Sequence, residues 1–174
     1  MQGYKLIPLN GKRGQDKFAI VDTEDYEELR KHKWHLIPSG HVVRYEGGKA
    51  ILMHRVIMCA QPGMEIDHIN GIPADNRREN LRQCSHAENM RNKRVRRSIN
   101  KKSKYKGVSK GDYKSWRAEI KVNGNRHKLG SYKSEDDAAR MYDAAARYYH
   151  GEFARTNFPG NLALSKEEIR GIIK

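Results

Sequence analysis

Short apolar runs, Lys17-Phe-Ala-Ile-Val and His41-Val-Val-Arg-Tyr among them, alternate between Tyr4 and Ile57 with turn-prone Asn-Gly, Ser-Gly and Gly-Gly steps. This pattern, broken by residues that accept positive φ cheaply, predicts antiparallel strands. One segment departs from it: Asp22-Thr-Glu-Asp-Tyr-Glu-Glu-Leu-Arg-Lys opens on a capping residue and runs from acids to bases. That order suits the helix dipole and predicts a short helix capped by Asp22. From Ile51 to about Arg97 the pattern reads strand, loop, helix, and Ser85-His-Ala-Glu88 is a capping box that starts the helix just after Ser85.

From Ser103 to Phe158 three further strands are expected, Tyr105 to Ser109, Trp116 to Val122 and Arg126 to Tyr132, with Asn123-Gly124 as the tight turn between the last two. Ser134-Glu-Asp-Asp caps a helix that runs to about His150, and Ala138, Met141, Tyr142, Ala145 and Tyr149 recur at helical spacing as the stripe that packs on the sheet. Trp116 is expected to join that core. A last short helix is expected after Ser165, with Glu167, Glu168 and Ile169 in its first turn. The fold class is therefore α+β, divided into a strand-rich section 1–50, a unit over 51–97, a basic linker 98–104, a sheet-and-helix domain 103–158 and a tail 159–174.

Charge says what the fold is for. The 174 residues carry 35 Lys+Arg against 21 Asp+Glu, a net charge of +14, which is the electrostatic footprint of a polyanion binder. Much of the excess lies between Arg91 and Lys104, where eight basic residues stand with no acid; Arg94, Arg96 and Arg97 in that run are candidate contacts to a phosphate backbone. The length leaves room for two small domains, and 37% hydrophobic residues limit both cores. Without a long apolar run or a signal-peptide pattern, the expectation is a cytoplasmic protein with no membrane partner. Cys59 and Cys84 do not form a Cys-x-x-Cys pair, so both read as small buried hydrophobes rather than zinc ligands or disulfide partners.

The reactive groups are concentrated in Met64-Glu-Ile-Asp-His-Ile-Asn-Gly-Ile-Pro-Ala-Asp-Asn-Arg-Arg-Glu-Asn-Leu-Arg, followed by Asn89 on the expected helix. Asp67 offers a hard carboxylate oxygen suited to Mg2+ or Mn2+, and the adjacent His68 can take a proton from water near neutral pH. Carboxylate, imidazole and amide in one hairpin-helix unit are the parts of a one-metal site that cuts phosphodiesters. His54, in Met53-His-Arg-Val, is open between lining that site, contacting phosphate and sitting in the core. Arg55 and Arg77 are open between phosphate contacts and surface ion pairs, and His86 is a further candidate beside the helix cap.

His54-Arg55, Ile66-Asp-His-Ile-Asn-Gly, Asp75-Asn-Arg-Arg-Glu-Asn-Leu-Arg and Asn89 resemble the HNH motif of phage and intron-encoded homing endonucleases over roughly residues 50 to 95. The resemblance implies a ββα-metal unit in which His68 is the first motif His, Asn80 the central Asn and Asn89 a replacement of the final His, an HNN variant. It implies that Asp67 and Asn89 bind one divalent cation, that His68 is the general base, and that Asn80 supports the loop after His68. The replacement of imidazole by amide oxygen at Asn89 favours a hard cation over zinc. The implied products carry a 5′ phosphate and a 3′ hydroxyl.

A second resemblance rests on Tyr105-Lys-Gly-Val, Trp116-Arg-Ala-Glu-Ile, Leu129-Gly-Ser-Tyr, Ala138-Ala-Arg-Met-Tyr-Asp-Ala-Ala and Gly151-Glu-Phe-Ala-Arg-Thr-Asn-Phe. These are similar to the ethylene-response-factor, or APETALA-type, DNA-binding domain, whose three-stranded antiparallel sheet packs on one helix and enters the major groove. The resemblance places Lys106, Tyr113, Glu119, Lys121, Arg126 and Lys128 at positions that contact DNA. Lys lacks the planar fork with which Arg reads guanine, so the plant target sequence does not carry over to Lys106 and Lys128.

Together these readings predict a metal-dependent, site-specific HNH endonuclease of homing type, with double-stranded DNA as partner, no small-molecule cofactor, and one active site per chain that nicks as a monomer. The competing expectation is a non-catalytic DNA-binding regulator with a relic HNH unit. An RNA-directed protein fits less well, because the A-form major groove is too narrow for side chains to read.

Overall fold

A computed structural model describes residues 3–92 and 103–160. The expected basic contacts Arg94, Arg96 and Arg97 and the helix after Ser165 lie outside the described residues. The protein is α+β and divides into two compact units, Met1–Met90 and Arg91–Lys174. No helix among the described residues is long and apolar enough to cross a membrane.

The first unit is built on a five-stranded sheet ordered β2-β1-β3-β4-β5, from β1 (Tyr4–Asn10), β2 (Phe18–Asp22), β3 (Trp34–Leu36), β4 (Val42–Glu46) and β5 (Lys49–Leu52). Helix α1 (Thr23–Leu29) joins β2 to β3, and α2 (Met53–Ile57) follows β5. The pairings are antiparallel except one: β1 runs parallel to β3, with Leu9 opposite Trp34 and Asn10 opposite His35. Alternation cannot report strand direction, and the return through β2 and α1 together supplies the connection that a parallel neighbour requires. The hairpin of β6 (Glu65–His68) and β7 (Leu81–Cys84) then leads into α3 (His86–Asn92).

A single core joins sheet and hairpin. Ile7, Leu9, Val21, Leu29, Val42, Met53, Ile57, Ile66 and Leu81 cluster around the fully buried Trp34, whose indole N–H donates to the Leu29 carbonyl at 2.7 Å. The edge of the sheet also grips the loop between β6 and β7. Ile20 N–H donates to Ala74 O at 2.9 Å, and Asn76 N–H donates to Ile20 O at 2.8 Å. Asp22, expected to cap α1, makes no side-chain cap bond; its buried carboxylate instead accepts from Arg78 N–H at 2.8 Å, 56 positions away. The expected basic last turn of α1 is also missing, because the helix ends at Leu29 and Arg30 and Lys31 pair with Glu27 and Glu28. Of the two cysteines, Cys84 is buried, but Cys59 is exposed at φ 45°, where the chain turns after α2.

The second unit is a three-stranded antiparallel sheet, β8 (Val108–Lys110), β9 (Trp116–Val122) and β10 (Asn125–Tyr132), packed on the sixteen-residue helix α4 (Glu135–His150). The Ser134 hydroxyl accepts from Asp136 N–H and Asp137 N–H and starts the helix. Ala118, Ile120 and Leu129 meet Ala138, Tyr142, Ala145 and Ala146, with Trp116, Met141 and Tyr149 at the margin. The first strand is shorter than its sequence suggests. Gly107 turns at φ +73°, and Lys106 N–H is committed to Asn157 Oδ1 at 2.7 Å rather than to a neighbouring strand.

Candidate active site

Strand alternation sets the geometry of the β6–β7 hairpin. Glu65 and Asp67 share one face, Ile66 and His68 the other. Register places Arg82 directly opposite Asp67, and its guanidinium closes on Asp67 Oδ2 with Nη2 at 2.7 Å and Nε at 3.0 Å. Asp67 is 5% exposed, so that cation compensates a carboxylate withdrawn from water. Two residues earlier, Glu65 gathers α3 onto the same strand: Asn89 Nδ2 donates to one carboxylate oxygen at 2.6 Å, and His86 Nδ1 lies 2.7 Å from the other. The capping box that positions Asn89 is complete, since Ser85 N–H donates to Glu88 Oε2 at 2.8 Å and Glu88 N–H to Ser85 Oγ at 3.3 Å. Committing Nδ2 to Glu65 defines the other end of the Asn89 amide as its oxygen. Carboxylate and amide oxygens are hard donors, the type that divalent cations such as Mg2+ and Mn2+ take.

His68 points to the other side, into a group of imidazoles. Its ring centroid lies 5.1 Å from that of His54 and 5.7 Å from that of His41. Asn76 Oδ1, an acceptor only, stands 3.5 Å from His68 Nε2; this contact favours a proton on Nε2, which leaves the lone pair on Nδ1. Burial disfavours the imidazolium and lowers the pKa of all three rings, His54 to about 3. His54 is thus buried beside His68. His41 was not singled out by sequence. It precedes β4 in the hairpin turn, and only the fold brings it to His68.

Asn80 lies in a 3-10 turn, Arg78–Asn80, and spans the loop after His68. Its Oδ1 accepts from Asn70 N–H at 2.9 Å, its Nδ2 donates to Asp75 O at 2.8 Å, and its carbonyl accepts from Ile69 N–H at 2.9 Å. Arg77 is an ion-pair residue, bound to Asp75 at 2.8 Å and Glu79 at 2.6 Å. Arg55 donates to the carbonyls of Met64 and Gln61. Glu65 and Arg82 are further residues that sequence reasoning missed, although strand period and hairpin register together indicate both.

In the second unit Glu119, Lys121, Arg126 and Lys128 lie on the sheet face opposite α4. Register sets Lys121 across from Arg126 and Glu119 across from Lys128. Arg117 shares that face, a residue the sequence reading did not name. Tyr113 is fully exposed at positive φ in the β8–β9 turn. Lys106 stands apart from this group. Burial, reinforced by Arg155, lowers its pKa to about 8.

Residues 52–91 match the family model described as HNH endonuclease. An uncharacterized HNH endonuclease of Acanthamoeba polyphaga mimivirus is 32% identical over 151 residues, 83% of this chain and 77% of that protein. An ethylene-responsive transcription factor of Arabidopsis thaliana is 40% identical over 82 residues, 42% of this chain and 44% of the factor. An AP2/ERF and B3 domain-containing protein of Oryza sativa subsp. japonica is 45% identical over 65 residues, 37% of this chain and 18% of that protein. The chain therefore belongs to the HNH endonuclease family, with an ethylene-response-factor-type domain joined to its nuclease unit.

Proposed function

We propose that the protein is a metal-dependent, site-specific DNA endonuclease of homing type. What supports this reading is that Asp67 and His68 lie on opposite faces of β6, with Glu65, two residues before Asp67 on the same face, bound to Asn89, and Asn76 Oδ1 3.5 Å from His68 Nε2. Asp67 and Asn89 would hold the cation through oxygen. When bound there, a divalent ion supplies charge that stabilises the scissile phosphate and the departing 3′ oxygen.

The protein's own groups do the rest. His68 Nδ1 removes a proton from the attacking water, and burial keeps the ring neutral for that purpose. The water oxygen bonds to phosphorus as the phosphorus–O3′ bond breaks, the 3′ oxygen takes a proton from solvent, and a 5′ phosphate remains. Asn80 acts as a positioning residue for the loop that carries Asn70. The basic sheet face of the second unit binds duplex DNA, a role supported by the similarity to plant transcription factors and by the alternation of Lys121, Arg126 and Lys128. One site per chain makes a nick the product of a monomer, and the mimivirus relative fits a viral origin.

The test is cleavage of long duplex DNA carrying candidate target sites, with Mg2+ or Mn2+ and with EDTA, in the wild-type protein and His68→Ala. Metal-dependent nicking that His68→Ala lowers at least about a hundredfold supports the mechanism. Equal cleavage in the variant, or tight binding without cutting in any metal, overturns it and leaves the DNA-binding regulator as the reading.

A further inference from the structure

Three imidazoles are more than this hydrolysis uses. His41 comes from the β3–β4 turn, His54 from α2 and His68 from the end of β6, yet one ligand nitrogen from each lies within 4.8 Å of the others. His54 is 5% exposed, and its Nδ1 is buried with no hydrogen-bond partner among the described residues. A buried ring nitrogen left in that condition is costly unless something is meant to occupy it. The other two rings are oriented from outside the cluster, His41 Nδ1 by Ser39 Oγ at 2.9 Å and His68 Nε2 by Asn76 Oδ1. Such outer hydrogen bonds are what fixes the tautomer of a ligating histidine.

The donor set differs in kind from that on the other face of β6. It contains no carboxylate and consists of nitrogen alone, which selects Zn2+, Ni2+ or Cu2+ over Mg2+. A zinc–nitrogen bond of about 2.0–2.1 Å places tetrahedral ligands about 3.4 Å apart. The cluster must therefore contract by about 1.4 Å at most, within reach of ring rotations and of the turn that carries half-buried His41.

We infer that His41, His54 and His68 form a second cation site, selective for zinc-like divalent ions, whose occupation inhibits the nuclease by engaging the His68 lone pair. The inhibition rests on the proposed role of His68 as base; the binding site does not. A zinc ion at the cluster leaves Asp67 and Asn89 able to bind Mg2+, so inhibition is not relieved by more Mg2+.

Cobalt(II) reports the site directly, because tetrahedral nitrogen coordination gives intense visible bands. The metal-free full chain is titrated with Co2+ and then with Zn2+ or Mg2+, in the wild-type protein, Asp67→Asn and His41→Gln. The expected result is one cobalt ion bound with tetrahedral bands that Zn2+ abolishes and Mg2+ does not. Asp67→Asn keeps those bands, and His41→Gln weakens zinc binding at least tenfold. In nicking assays with saturating Mg2+, zinc inhibits the wild-type protein, and the inhibitory concentration rises in His41→Gln by the same factor. Unchanged bands in His41→Gln, bands lost in Asp67→Asn, or undiminished nicking with zinc bound each overturn the inference. Zinc should also raise the unfolding temperature of the wild-type protein more than that of His41→Gln, a readout independent of activity. Absence of Mg2+-dependent nicking counts against the mechanism proposed above, while the cobalt spectrum still decides the histidine site.

Discussion

Asp67 joins a structural pairing to the metal-binding role proposed for it. Its carboxylate is nearly inaccessible and held in the fork of Arg82, whose side chain is only 12% exposed. Asp67→Asn removes the negative partner of a mostly buried guanidinium, a change that costs about 3 kcal/mol. The expected outcome is a lower denaturation midpoint by that amount together with loss of nicking, measured by urea unfolding and plasmid cleavage. Loss of nicking with unchanged stability would show that the Arg82 pair is not the source of the cost. Lys106 is a second residue with a measurable signature. Its pKa is lowered from 10.5 to about 8, chiefly by burial, so between those values the unfolded chain binds more protons than the folded one. The contribution of Lys106 to the stability of the second unit therefore rises as pH increases from about 8 toward 10.5. Thermal unfolding across that range, with Lys106→Met as control, checks the sign: the variant should lose the rise.

At the scale of elements, the backbone decides what is interchangeable. A Cβ on Gly107 would lie 1.8 Å from the Tyr142 ring, and the residue sits at φ +73°. Gly107→Ala combines left-handed strain with overpacking and should destabilise the second unit by about 3 kcal/mol or more, read as a lower calorimetric midpoint for that unit alone. The motif Tyr105-Lys-Gly-Val thus has a physical reason for its glycine. Elements of this kind were legible in the sequence because their causes are local. Asn123 and Gly124 both take positive φ, 49° and 85°, as a two-residue hairpin turn requires, and the Ser85–Glu88 box shows itself in four letters. The adjacent pair Asp67-His68 was legible for the same reason. The parallel β1–β3 pairing, the recruitment of Asp22 by Arg78 and the arrival of His41 beside His68 were not. Each depends on a contact between distant segments that no local pattern encodes. Glu65 was overlooked because a carboxylate beside an apolar residue looks like a solvated strand position until Asn89 is seen bound to it.

Across the whole molecule, the net charge of +14 does not assign itself to a surface, but the pairing of individual cations does. On the open sheet face Arg117 is paired with Asp112, and Arg126 lies 3.6 Å from Glu119. Among the described residues neither Lys121 nor Lys128 forms an ion pair, so these two are the cations of that face able to neutralise phosphate without first losing a carboxylate. Each phosphate contact contributes about 0.9 to the slope of log affinity against log salt. Lys121→Gln with Lys128→Gln should therefore lower the slope by about 1.8. Such a variant retains Asp67, His68 and Asn89, so its nicking rate at saturating DNA should match the wild type while the DNA concentration needed for half-maximal rate rises. Asp67→Asn should do the reverse, abolishing nicking while leaving the salt slope in place. A lysine variant that lost rate at saturating DNA with an unchanged slope would mean that the sheet face acts on the chemistry rather than on capture, and the division of labour between the two units would have to be abandoned.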